Sequence, residues 1–104
     1  MKGKIVTFDL PEAALVIRRS RKDERPYHPK FQLKAQDDHT VLVQDHALDV
    51  NGQPGFVLGS NVVCLAKRSN MCWIVAEVLL QDRCYYVQPK YLKPYKEPEA
   101  NEQV

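Results

Sequence analysis

The sequence predicts a mainly β protein: a strongly bent antiparallel sheet over about residues 31–95, with an N-terminal strand and one helix packed onto it. Three observations point there. Residues 56–68, 72–81 and 83–88 are short apolar runs separated by polar turns, the rhythm of an antiparallel meander. In the central run Trp73, Val75 and Leu79 fall on one face while Ile74, Ala76, Val78 and Leu80 fall on the other, with only Glu77 interrupting the first set. A strand apolar on both faces needs cover on both faces, so the N-terminal half is expected to pack across this sheet. Finally, 104 residues and 12.0 kDa leave room for a single core, which makes residues 1–95 one domain.

Each element follows from local chemistry. Residues 4–8 (KIVTF) are β-branched and alternating, as a short strand requires. Asp9 and Glu12 have the spacing of a capping box, and Pro11 suits the first turn of a helix. Leu10, Ala13, Ala14 and Ile17 recur at i, i+3, i+4 and i+7, which predicts a helix over about residues 10–22. Leu15-Val16-Ile17 is β-rich, so a strand through 14–18 is the competing reading. Pro26 and Pro29 exclude a helix from residues 23–30 and make that segment a loop.

Residues 31–36 alternate apolar and polar as a half-buried strand does, and Asp37, Asp38 and His39 read as a turn. Residues 40–50 read as a strand with an irregularity near Asp45. Asn51-Gly52 is a hairpin signal, widened by Gln53, Pro54 and Gly55. Further reversals are expected at Ser69-Asn70 and Gln81-Asp82. Residues 91–95 close the fold with a tight turn, and the polar, acidic stretch 96–104 reads as a disordered tail. There is no internal repeat.

No apolar run approaches the ~20 residues of a membrane helix, and the N-terminus lacks the apolar core of a secretory signal. The chain therefore reads as soluble and cytoplasmic. Its three cysteines, Cys64, Cys72 and Cys84, fall inside expected strands and read as buried, reduced thiols. Seven and eleven intervening residues separate them, not the short knuckles of a zinc site, so no metal or cofactor is expected. A Cys72 pairing with His39 or His46 is the only nucleophilic arrangement to imagine, and no phosphate loop, nucleophile elbow or carboxylate pair accompanies it. The expectation is that the protein is not an enzyme.

The net charge of +2 conceals segregation: residues 18–34 carry +5, residues 83–96 carry +4, and the remainder −7. Arg18, Arg21, Lys22 and Arg25 would share one face of the expected helix, with Arg19 beside them, and could lie along a phosphate backbone. Against this stands the ordinary reading of a solvated helix face, partly neutralised by Asp23 and Glu24. Tyr86, Lys90, Tyr91 and Lys93 form a second candidate surface, together with Tyr85, Tyr95 and Arg83. Tyrosines there would stack on bases or line a peptide groove while the cations meet phosphates or carboxylates. The plainer alternative is that they are barrel-rim residues, with one of the neighbours Tyr85 and Tyr86 pointing in and the other out.

Residues 59–94 resemble the SH3-like and Tudor-like small β-barrels. The resemblance rests on a Gly-led strand (Gly59-Ser60-Asn61-Val62-Val63-Cys64-Leu65-Ala66), a following strand opening with an aromatic (Trp73-Ile74-Val75-Ala76-Glu77-Val78), and a close through Tyr91-Leu92-Lys93-Pro94. It implies a small SH3-like antiparallel barrel and a binding role. Two ligand-reading features of those families are missing: the aromatic–Gly pair after the third strand, and the acidic loop with paired aromatics before the core strands. Some small SH3-like proteins are oligomeric enzymes with a shared site, for which Gln88 would be the residue to watch here.

The function expected from these residues is a non-enzymatic binding module, nucleic-acid-associated or regulatory, acting through Arg18, Arg19, Arg21, Lys22 and Arg25. The alternative is an adaptor or inhibitor that docks an acidic protein or an extended peptide. No membrane partner is expected, and the oligomeric state is left open.

Overall fold

The computed structural model describes residues 1–21, 31–34, 40–65 and 68–95. Eight strands follow in chain order: β1 (Ile5–Phe8), β2 (Leu15–Arg21), β3 (Phe31–Leu33), β4 (Thr40–His46), β5 (Pro54–Leu65), β6 (Arg68–Leu80), β7 (Arg83–Val87) and β8 (Leu92–Pro94). They form a curled antiparallel sheet, a half-barrel in the order β4-β2-β7-β6-β5-β1-β8, with β3 added to β5. Among the described residues there is no α-helix, only two 3₁₀ turns at Ala47–Asp49 and Pro89–Tyr91.

The expected N-terminal helix is therefore replaced by a strand. Residues 11–14 make a single turn, with Ala14 N donating to Pro11 O at 2.9 Å, and the chain then extends. The apolar stripe fitted a helix, but the β-branched Val16 and Ile17 have cover on both faces once β2 lies in the sheet. β2 pairs along its whole length with β4 and meets β7 at Ile17 and Arg18. The N-terminal half thus extends the sheet instead of layering across it.

The long β5–β6 ladder organises the rest. Its register shifts between Val57 and Gly59, leaving Leu58 unmatched, so the inward face of β5 changes sides at that bulge. Val57 faces one core with Phe8, Val50, Val78 and Tyr85; Val63 faces the other with Leu33, Leu42, Val75 and Tyr86. Along β6, Ala76, Val78 and Leu80 serve the first core and Val75 the second. The two apolar faces of this strand are thus buried on opposite sides of one sheet.

Asn51 does not begin the widened hairpin expected of it, because β4 and β5 are not paired. Its side chain acts as a surrogate strand: Oδ1 accepts from Leu10 N at 2.9 Å and Nδ2 donates to Leu10 O at 2.8 Å. Ser69 and Asn70 already belong to β6, so the reversal comes earlier than the sequence suggested, while the turn at Gln81-Asp82 lies where expected. Cys64 and Cys72 face each other across β5–β6 and form a disulfide, which corrects the reading of three reduced buried thiols. Cys72 is exposed, and only Cys84 is a free thiol. Disulfides persist in oxidising surroundings. No helix is long and apolar enough to cross a membrane.

Two substitutions test this architecture. A Cβ on Gly55 would sit 2.6 Å from Val78 Cγ1, and Val78 is fully buried, so Gly55→Ala is expected to cost about 1–3 kcal/mol in urea unfolding. Gln81 holds a positive φ of 58°, which favours glycine. Gln81→Gly is expected to stabilise by about 0.5–1 kcal/mol in the same assay.

Candidate interaction groove

Adjacent arginines on β2 point to opposite faces, because side chains alternate along a strand. Arg18 is 7% exposed, and its Nε donates to Asp45 Oδ2 at 2.8 Å. Tyr85 Oη donates to the same oxygen at 2.8 Å, and Arg83 Nη1 approaches it to 3.7 Å. Tyr85 packs edge-on against Phe8 with ring centroids 5.6 Å apart. Burial first, then the bond to Asp45, pushes the Tyr85 hydroxyl up to about 12.

On the other face Arg19 Nε donates to Tyr86 Oη at 2.8 Å, with the guanidinium carbon 5.9 Å from the ring centroid. Tyr86 is also hydrogen-bonded to Cys84, and its own proton is held more tightly than usual, chiefly by burial. Burial likewise raises the Cys84 thiol, although Tyr86 and Arg19 pull the other way. A thiol so disposed is a poor nucleophile. Cys72, the candidate nucleophile of the sequence, is tied up in the disulfide, while His39 lies outside the described residues. Among the described residues no group of three His, Cys, Asp or Glu side chains could hold a metal ion.

The helical face that was to present Arg18, Arg21, Lys22 and Arg25 together does not exist. Arg18 is committed to Asp45, Arg19 lies on the reverse face, and Arg21 ends β2. Lys22 and Arg25 lie outside the described residues. Tyr85 and Tyr86 do not divide into one inward and one outward ring, since both are buried, on opposite faces with a core on each. Lys90 is exposed, with Nζ 5.1 Å from the Tyr91 ring centroid, and Lys93 Nζ pairs with Asp9 Oδ2 at 2.7 Å.

The structure instead assembles an apolar groove of about 310 Å³ on the Tyr86 face. It is lined by Leu15, Val16 and Ile17 of β2, Trp73 and Val75 of β6, Tyr86 and Val87 of β7, and by Leu10, Phe31 and Val63, with Phe31 edge-on to Trp73 at 5.9 Å between centroids. Gln88 and Tyr91, where the chain leaves β7, complete the lining. Of the site expected from the sequence, Tyr86 and Tyr91 alone among the described residues line it. Trp73 and Phe31 read as strand residues and Ile17 as part of a helical stripe, and their convergence depends on pairings between distant segments. Trp73, read from the sequence as the aromatic opening its strand and found at the sixth position of β6, was the one available signal. Comparison with protein-family models, curated proteins and solved structures gives no match.

The buried polar pair makes two testable statements. Asp45→Ala removes the carboxylate that pairs with the buried Arg18 and accepts from Tyr85, and is expected to cost about 2–4 kcal/mol, read by urea unfolding. Tyr85 loses its proton near pH 10 when unfolded but only at about 12 when folded, so the folded state binds more protons in between. Its contribution is complete below pH 10 and is lost as the pH rises to about 12. The unfolding midpoint is expected to fall across that window, and less steeply in Tyr85→Phe.

Proposed function

We infer that this protein is a non-catalytic interaction module that receives an apolar side chain of a protein partner in the groove between β2 and β6. The single observation carrying this reading is the groove itself, walled by Trp73, Val75, Leu15 and Ile17 with few polar atoms. Aromatic and aliphatic walls of this kind supply binding energy by desolvation, with sparse polar groups setting orientation. Lys90, exposed beside Tyr91, favours acidic residues flanking the inserted side chain. The 3₁₀ turn at Pro89–Tyr91 before the short last strand supports an SH3-like relationship for the curled sheet.

A phosphate-binding reading rests on the charge of residues 18–34, but its premise was a helical stripe, and Arg18 already has a carboxylate partner. Trp73 is the sole tryptophan, so its emission reports the groove directly. Titration with N-acetyl-leucine methylamide is expected to shift that emission saturably, and Ile17→Lys is expected to abolish the shift. An unmoved emission overturns the groove reading. Retention of generic single-stranded RNA, lost steeply with added salt, would favour phosphate contact instead.

A further inference from the structure

Part of the groove is built on the last regular rungs of the β5–β6 ladder. Val63↔Trp73 and Cys64↔Cys72 are successive opposed pairs, and the register shifts immediately after Cys64. Among the described residues β3 pairs with the same stretch, Phe31 with Leu65, Gln32 with Cys64 and Leu33 with Val63. Phe31 in turn packs edge-on against Trp73, and Phe31, Val63 and Trp73 all line the groove. The Cys64–Cys72 disulfide therefore closes the ladder at the point where three groove residues are set.

Side chains alternate along a strand, so the disulfide lies on the face opposite Val63 and Trp73, behind the groove. Cys72 is exposed there and Cys64 half-buried, on the same face as Ile74 at 69% exposure. Exposed disulfides are the labile ones, and this one is reached without entering the groove. The two cysteines are eight residues apart, so the bond constrains the end of the hairpin more than the chain at large. The core around Val57, Val78 and Tyr85 lies toward the other end of the ladder and contains neither cysteine.

We propose that the Cys64–Cys72 disulfide is a redox latch: oxidised, it holds the groove in its binding form, and a dithiol reductant opens it and releases the partner. A thiolate of the reductant attacks the exposed Cys72 sulfur, and Cys64 leaves as a thiolate that takes up a proton. The second thiol of the reductant then attacks the mixed disulfide, and Cys72 leaves in the same way. The protein's S–S bond is broken, the reductant's is formed, and two electrons and two protons pass to the protein. Without the bond the last rungs fray, since β3 is three residues long and the register beyond Cys64 is already shifted. Phe31 and Trp73 then lose their fixed spacing, and only the fraction of molecules with both in place binds.

This inference rests on the groove reading, and the experiment separates the two. The full-length ¹⁵N-labelled protein is titrated with N-acetyl-leucine methylamide before and after treatment with dithiothreitol, and its thiols are counted by alkylation after acid quench and unfolding. Reduction is expected to raise the count from one, Cys84, to three. It is expected to shift the amides of residues 31–34, 62–65 and 70–75 while those of Val57, Val78 and Tyr85 stay in place. The probe is expected to bind about ten-fold more weakly, as when about a tenth of the reduced molecules keep the groove. Reoxidation is expected to restore the affinity. The double variant Cys64→Ser/Cys72→Ser is expected to bind as the reduced protein does and to ignore dithiothreitol. If the reduced protein binds as the oxidised does, the latch is wrong and the groove reading stands. If neither form takes the probe at millimolar concentration, both fall. A thiol count that stays at one, or a loss of amide dispersion throughout the molecule, makes the disulfide a structural staple and overturns the latch.

Discussion

The antiparallel ladder between β5 and β6 is the constraint on which the remaining structure depends. It is the longest pairing in the sheet, and β1, β3 and β7 all attach to it. The bulge at Leu58 turns the inward face of β5 over, so the two ends of the ladder must be buried on opposite sides. At one end β1, β8 and the turn at Ala47–Asp49 supply the cover, and at the other β3 and β4 supply it. A half-barrel with two small cores follows from that single extra residue. The close approach of Gly55 to Val78 and Phe8 belongs to the same arrangement, since only a residue without Cβ lets the ladder begin so near the first core.

Polar groups inside the sheet decide how β2 is held. Two neighbouring arginines and two neighbouring tyrosines, Arg18-Arg19 and Tyr85-Tyr86, meet in adjacent strands and serve opposite faces. On one face Asp45 accepts from both Arg18 and Tyr85; on the other the Tyr86 hydroxyl accepts from Arg19. Arg18 is buried and Arg19 exposed; a buried cation is tolerated only when so paired, and the two contacts tie β2 to both β4 and β7. Charge that the sequence offers to a partner is thereby partly spent within the fold.

The groove arises from a mismatch of lengths. β6 has 13 residues and β7 has 5, so β7 pairs with only part of β6, and apolar side chains of β2 and β6 line the groove. The apolar lining of that groove is why the interaction reading is favoured over one based on surface charge. The tyrosine-and-lysine surface is divided in the same way: Tyr91 faces the groove, while Lys93 is taken up by Asp9.

Local patterning alone determined a good part of this protein. The three C-terminal strands, the short first strand, the reversal at Gln81-Asp82 and the two-faced character of β6 were all legible, because each depends on alternation or turn chemistry within a few residues. The state of residues 10–22 was not. Leu10, Ala13, Ala14 and Ile17 satisfy a helical period, whereas Val16 and Ile17 favour a strand, and the choice was made by β4 and β7, which lie up to 70 residues away in the chain. The same holds for the disulfide, since spacing does not reveal that Cys64 faces Cys72 until the hairpin register is known. Nor could the sequence place Arg18 against Asp45, or Trp73 beside Phe31. These contacts join segments that are remote in the chain, and only tertiary pairing brings them within reach.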